Sequence, residues 1–211
     1  MPWSWEGAVV STEAQRGSAV SATLSTVWRE RFGDRAPVAH ELPARFPERW
    51  VRFHSLPGSK RYATDAFERA TVLHRHYLVL TELFAGREVF ILTSTFSGAP
   101  HPPPRTRFDV RINPGAVRWR SFLSSEGTDP EFIAFTHVYA AYTPWRDGSL
   151  DRLLSAAAQW RTANVMIADG GLERLYHPYD GGADVLLADS VERNVLRDRH
   201  ADWLSVHPSG M

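Results

Sequence analysis

His177 and Asp184, which lie on either side of the dipeptide Asp180-Gly181, are the residues best placed for chemistry. Asp-Gly between two runs of alternating apolar residues predicts a β-hairpin, because a type I′ turn needs positive φ at both central residues. Counting outward from the turn places His177 directly opposite Asp184, with Cβ atoms roughly 5 Å apart. An aspartate there can fix the histidine tautomer and raise its pKa, which is the orienting half of a general base. The alternative is a cross-strand polar pair that fixes the hairpin register and contributes under ~1 kcal/mol.

A second candidate site combines a predicted strand with the loop that follows it. The strand, residues 50–56, places Arg52 and His54 on one face, and the loop after it contains Ser59, Lys60 and Arg61. Such loops can bind phosphate or carboxylate through backbone N–H groups, with lysine as a point charge. The GxxxxGK[ST] phosphate loop is absent, and the alternative is a solvated basic turn.

Two further candidates, His137 and Tyr139, share one face of a long predicted strand. They would line a pocket with His177, or His137 is a core histidine whose hydrogen bonds are satisfied. A metal site would require His54, His137, His177 and Asp184 to converge. We predict neither a metal nor another cofactor.

The composition excludes several classes of protein. The 211 residues suit one domain, and 43% hydrophobic content suffices for a sizeable core. The formal net charge of zero gives no electrostatic preference for nucleic acid or an anionic membrane. The absence of cysteine excludes disulfides, thiolate metal sites and a cysteine nucleophile. No apolar run reaches the ~20 residues of a membrane span and no signal-peptide pattern is present, so we expect a cytoplasmic protein.

Helical and strand patterns are interspersed along the chain. This predicts an α+β fold, with a mixed, largely antiparallel central sheet and about four helices packed on it. Residues 1–16 are predicted to be a flexible arm, and residues 17–211 a single domain that ends in a hairpin–helix unit over 172–205. The predicted helices cover residues 18–32, 65–86, 150–161 and 190–200, and the strands outside the hairpin cover 50–56, 88–96, 116–123, 132–143 and 164–168.

The hairpin and the segment after it contain the residues of a recognisable pattern, namely Tyr176, His177, Tyr179, Asp180, Asp184, Val185, Trp203 and Leu204. This segment resembles a small C-terminal domain of unknown function that is found in many bacterial proteins. The family usually has arginine after the turn aspartate, where this chain has Gly181. The resemblance covers about the last fifth of the chain and implies no activity, fold or cofactor.

The function predicted from these patterns is binding of a small anionic molecule in an aromatic-lined pocket. In this hypothesis His177 and Asp184, with His137, supply acid–base chemistry, as in a cysteine-independent hydrolase, lyase or transferase. The alternative is a non-catalytic interaction module of the immunity-protein type. The partner is then a small anion or a protein, and neither a nucleic acid nor a membrane. The residues predicted to bind the ligand are Arg52, His54, Ser59, Lys60, Arg61, Tyr139 and Tyr179.

Overall fold

Seven strands form a single sheet in the computed structural model, which describes residues 6–124 and 133–205. The order is β1-β7-β6-β5-β2-β4-β3, and neighbouring strands in this part of the chain are all antiparallel. The α+β prediction is confirmed, and β2 is an interior strand. The strands are β1 Trp50–His54, β2 Glu88–Ser97, β3 Val117–Leu123, β4 Phe135–Pro144, β5 Met166–Asp169, β6 Leu175–Tyr179 and β7 Gly182–Leu186.

Helices cover both faces of this sheet. Helices α1 and α2 pack on one face through a layer that includes Leu24 and Leu42, and α3, α5 and α6 pack on the other through Leu80, Leu153 and Leu196. No helix in the described ranges is both long enough and apolar enough to span a bilayer. The helices are α1 Glu6–Phe32, α2 Leu42–Arg45, α3 Ala66–Phe84, α4 Arg107–Ile112, α5 Asp151–Ala158 and α6 Ser190–Arg199.

The first helix begins earlier in the chain than the sequence predicted. We predicted a loose arm through residue 16 and a helix from residue 18, whereas α1 already begins at Glu6. Periodicity detects a helix by its apolar stripe, and residues 6–16 lack one, so the pattern gave no signal there. Helices α2 and α4 were missed because four and six residues are too few to show a period.

The C-terminal hairpin has the predicted register. His177 lies opposite Asp184, and Tyr176 opposite Val185. The turn type was predicted wrongly, because Gly181 (φ +97°) is the turn residue with positive φ and Asp180 does not have one. A positive φ confined to the second central residue is the type II pattern, which also favours glycine there.

Helix α3 starts with a variant of the capping box. Asp65 accepts the Glu68 N–H at 2.8 Å, and the Glu68 carboxylate accepts the N–H of Thr64, the residue before the cap. Asp189 and Glu192 begin α6 in the same way. The glutamate therefore fixes the chain that enters the helix.

Candidate functional site

His177 and Asp184 share one face of the hairpin, but each has its hydrogen-bond partners elsewhere. The Asp184 carboxylate accepts hydrogen bonds from Arg52 Nε at 2.8 Å, Arg52 Nη2 at 3.0 Å and Trp50 Nε1 at 3.0 Å. His177 Nδ1 donates to the Val165 carbonyl oxygen at 2.7 Å. Burial lowers the pKa of His177, which favours the neutral imidazole.

Arg52, on β1, contacts residues of the two neighbouring strands at this edge of the sheet. It extends from β1, pairs with Asp184 of β7, and its Cζ lies 5.4 Å from the ring centroid of Tyr179 on β6. The Trp50 ring lies at 5.3 Å from the same Cζ. The Asp184 oxygens are thus occupied by these donors and the His177 imidazole is oriented by Val165, so neither the acid–base interpretation nor a direct polar contact between His177 and Asp184 is supported.

His137 and Tyr139 lie on the opposite face, on β4, which is three strands from β6. His137 is fully buried between two serine hydroxyls, those of Ser97 at 2.8 Å and Ser121 at 2.9 Å. The Arg105 guanidinium covers the Tyr139 ring. Neither residue therefore shares a pocket with His177.

The four potential metal ligands do not converge, because His137 lies across the sheet from the other three. His54 extends from β1. Burial lowers its pKa, and its Nε2 has no hydrogen-bond partner among the described residues. Within the described ranges, no group of three or more histidine and carboxylate side chains is placed to hold a metal ion.

The Lys60 ammonium is already paired with a carboxylate. Its Nζ contacts the two Glu68 carboxylate oxygens at 2.5 and 2.7 Å and the Thr64 hydroxyl at 3.1 Å. The Lys60 hydrogen bond is the main reason that the pKa of Glu68 falls to about 2. Ser59 is exposed in the same loop with a left-handed φ of +57°.

Arg61 joins this loop to the hairpin turn. Its Nε donates to the Asp180 carboxylate at 2.5 Å, and the Tyr62 hydroxyl donates to the same oxygen at 2.7 Å. The Asp180 side chain is buried. The loop and the turn, which the sequence treated as separate sites, are therefore in direct contact.

A cavity of about 420 Å³ lies where this loop meets α3 and α5. It is on the α3 face of the sheet, opposite to the face that carries His177 and Asp184. Of the predicted ligand-binding residues, Arg61 lines it. The described residues that line the cavity are Ser55, Arg61, Tyr62, Ala63, Arg69, Val72, Leu73, Ser155, Ala158, Gln159 and Gly181.

The cavity carries positive charge that is not fully compensated. None of the described residues that line it is acidic. Arg61 is paired with Asp180, whereas Arg69 forms no ion pair with a carboxylate of the described residues. Ser55 is only 4% exposed, and its Oγ has no hydrogen-bond partner. The cavity thus offers a free guanidinium beside an apolar wall, which suits an anion with an apolar part.

Sequence reasoning missed Arg69, Tyr62 and Gln159 and gave Asp180 only a role in the turn. Arg69 has no local pattern that distinguishes it from the other arginines of the chain. The cavity forms from segments that are distant in sequence, so it can be identified only once the packing of α3 against α5 is known.

An antiparallel sheet with helices on both faces and a basic cavity beside a hairpin turn define an α+β domain with a candidate anion site. The chain belongs to the family described as Domain of unknown function (DUF3885), whose profile matches residues 38–208. The match extends well beyond the C-terminal segment that carried the resemblance, and it leaves α1 outside. The chain matches no curated protein and no solved structure.

Proposed function

We propose that this protein binds a small anionic molecule in the cavity between α3 and α5. The observation that carries the proposal is Arg69, an arginine without a described carboxylate partner in a cavity whose described lining contains no acidic side chain. A guanidinium presents a planar set of N–H donors that matches a carboxylate or phosphate.

Two further features of the cavity support the proposal. Gln159 adds a neutral hydrogen-bonding group, and Val72, Leu73 and Ala158 add apolar surface. A few polar groups on a mostly apolar lining are typical of small-molecule sites.

Asp180 supports the proposal in a different way, because it holds the cavity wall in place. Its carboxylate fixes both Arg61 and Tyr62, so this side of the cavity is ordered before a ligand arrives. Preorganisation of this kind reduces the entropy that binding would otherwise cost.

The proposal keeps only part of the site predicted from the sequence. Arg61 remains a ligand-binding candidate because it lines the cavity, whereas Arg52 and Lys60 are not among its lining residues and are paired with carboxylates of their own. His177 and Asp184 lie across the sheet from the cavity, so they do not support acid–base chemistry on a ligand bound there. We therefore propose binding without assigning a reaction.

The test is a thermal-shift panel of small anions, including acetate, phenylacetate and inorganic phosphate. A probe present at a hundredfold its Kd adds about 2.7 kcal/mol of stability. For a chain of this size that raises Tm by about 5 to 10 °C. Arg69→Gln is expected to weaken the best probe by about tenfold or more, because a hydrogen bond to a charged group is worth about 1.5–3 kcal/mol.

Arg45→Gln is the matched control for this experiment. Arg45 is exposed on α2, which packs on the opposite face of the sheet, and its replacement changes the net charge by the same amount. Equal weakening by both variants would show that the probes respond to overall charge. The absence of binding by every probe would overturn the proposal.

A second candidate function, a protein-binding module of the immunity type, is favoured by the aromatic residues around the cavity. Tyr62, which lines the cavity, and Trp160, which follows the lining residue Gln159, are both exposed. Exposed aromatic residues are enriched in protein interfaces. If the anion panel gives no binding, this is the function that remains.

A further inference from the structure

We propose that the ligand of the cavity is an aromatic monocarboxylate, with its ring recognised by Tyr62, Arg61 and Trp160 and its carboxylate by Arg69. The inference rests on the proposed function and specifies its ligand. Three observations support it: the backbone conformation of Trp160, the fixed position of Tyr62 and the charge balance of the cavity.

Trp160 occupies a position where helices normally place glycine. The C-terminus of α5 is closed by two backbone hydrogen bonds, Trp160 N–H to Ala157 O at 3.0 Å and Arg161 N–H to Ala156 O at 2.9 Å, which together form a Schellman motif. This motif puts Trp160 in the left-handed region, with φ +56°. Glycine adopts that conformation without the steric penalty that a Cβ brings.

Burial of the indole does not compensate for the unfavourable backbone conformation, since Trp160 is 67% exposed. Neither helix termination nor core packing therefore accounts for a tryptophan at this position. Unfavourable backbone conformations in non-glycine residues tend to cluster at ligand sites. Trp160 follows Gln159, which lines the cavity, and it contacts Arg61, which lines it too.

Tyr62 and Trp160 flank the same guanidinium. Arg61 Cζ lies 5.5 Å from the ring centroid of Tyr62 and 5.8 Å from that of Trp160. Tyr62 is 49% exposed, yet its hydroxyl is fixed on the buried carboxylate of Asp180. Exposed aromatic rings and a guanidinium held in fixed positions form a surface on which a planar ring can stack.

The charge balance specifies the anionic group. Asp180 neutralises Arg61, so Arg69 is the cation in the described lining that is left to compensate a ligand charge. One unpaired guanidinium matches a single negative charge, and its planar donors fit a carboxylate in a bidentate manner. A dianionic phosphate would leave one charge uncompensated beside the apolar wall.

The experiment compares phenylacetate, cyclohexylacetate and phenyl phosphate by calorimetric titration of the full chain. Phenylacetate and cyclohexylacetate carry the same charge on rings of similar size, and only the first ring is aromatic. We expect phenylacetate to bind roughly threefold to tenfold more tightly than cyclohexylacetate, which is the usual range for an aromatic contact. Phenyl phosphate should bind no more tightly than phenylacetate.

Trp160→Gly separates recognition of the ring from a structural role. Glycine suits φ +56°, so the Tm of this variant should not fall, while the preference for phenylacetate should drop at least twofold. Trp160→Leu keeps the unfavourable backbone conformation and removes the aromatic ring, so it should lose the same preference.

Each other outcome overturns a defined part of the reasoning. Equal affinities for phenylacetate and cyclohexylacetate would refute ring recognition and leave the proposed anion binding intact. A variant that keeps the preference but loses Tm would make Trp160 a structural residue. Tighter binding of phenyl phosphate would refute the carboxylate assignment, and no binding of any probe would overturn the proposed function as well.

Discussion

Replacing Asp184 with alanine is expected to destabilise the sheet and to leave the cavity intact. The Asp184 side chain is 6% exposed and accepts hydrogen bonds from Arg52 and Trp50. Its removal would leave the Arg52 guanidinium largely buried without a counterion, between β1 and the hairpin.

The magnitude follows from the burial of the two partners. Removing one member of a buried ion pair costs about 3–5 kcal/mol. Arg52 is 23% exposed and can recover part of its hydration, so we place the loss at the lower end, about 3 kcal/mol. In a chain of this size, each kcal/mol lowers Tm by about 2–4 °C. The expected fall in Tm is therefore about 6 to 12 °C.

The assay pairs calorimetric unfolding with binding of phenylacetate well below Tm. The control is the double variant Arg52→Met, Asp184→Leu, which removes both charges and should recover most of the lost stability. Binding in the cavity should be unchanged in both proteins. The reasoning is refuted if Asp184→Ala keeps its Tm but no longer binds the probe, because the carboxylate would then serve the ligand and not the sheet.

Two further predictions concern a buried histidine and a close backbone contact. Burial lowers the pKa of His76 to about 4, whereas the unfolded chain takes up the proton near 6.5, so its contribution to stability is complete above pH 6.5 and is lost as the pH falls toward 4. The free energy of unfolding, measured with a chemical denaturant, should be lower at pH 5 than at pH 7 by on the order of 2 kcal/mol because of this residue. His76→Gln should remove that part of the difference. Gly182→Ala should fail to yield folded protein in circular dichroism, because the added Cβ would lie 2.4 Å from the Phe53 carbonyl oxygen. Gly98→Ala, whose Cβ would have its nearest neighbour at 3.8 Å, is the control that should fold.

The hairpin shows how much of this structure local patterns can predict. Asp180-Gly181 between alternating runs gave the pairing of His177 with Asp184, because a tight turn fixes the register of the strands it joins. The main helices were also found, since their signals lie within a few residues of each other.

The partners of Asp184 could not be predicted in this way. Arg52 is 132 positions away along the chain, and it reaches Asp184 because β1 pairs with β7. The sequence placed Arg52 on one face of its strand but gave no information on which strand would lie beside it. The acid–base hypothesis therefore paired His177 with the aspartate directly opposite it in the hairpin, whereas the fold supplies an arginine that binds that carboxylate.

The hairpin nevertheless organises the candidate site, through its turn and not through its strands. Asp184, on one face of the strands, binds Arg52 and holds the edge of the sheet together. Asp180, in the turn, binds Arg61 and Tyr62 and so positions one wall of the cavity. Two carboxylates four residues apart thus serve different sides of the sheet. Because Asp180 belongs to the turn, a change in the hairpin register would displace Arg61 and Tyr62 together. The network around Asp184 joins β1 to β7, whereas the turn that contains Asp180 fixes the hairpin register and with it the position of the cavity wall.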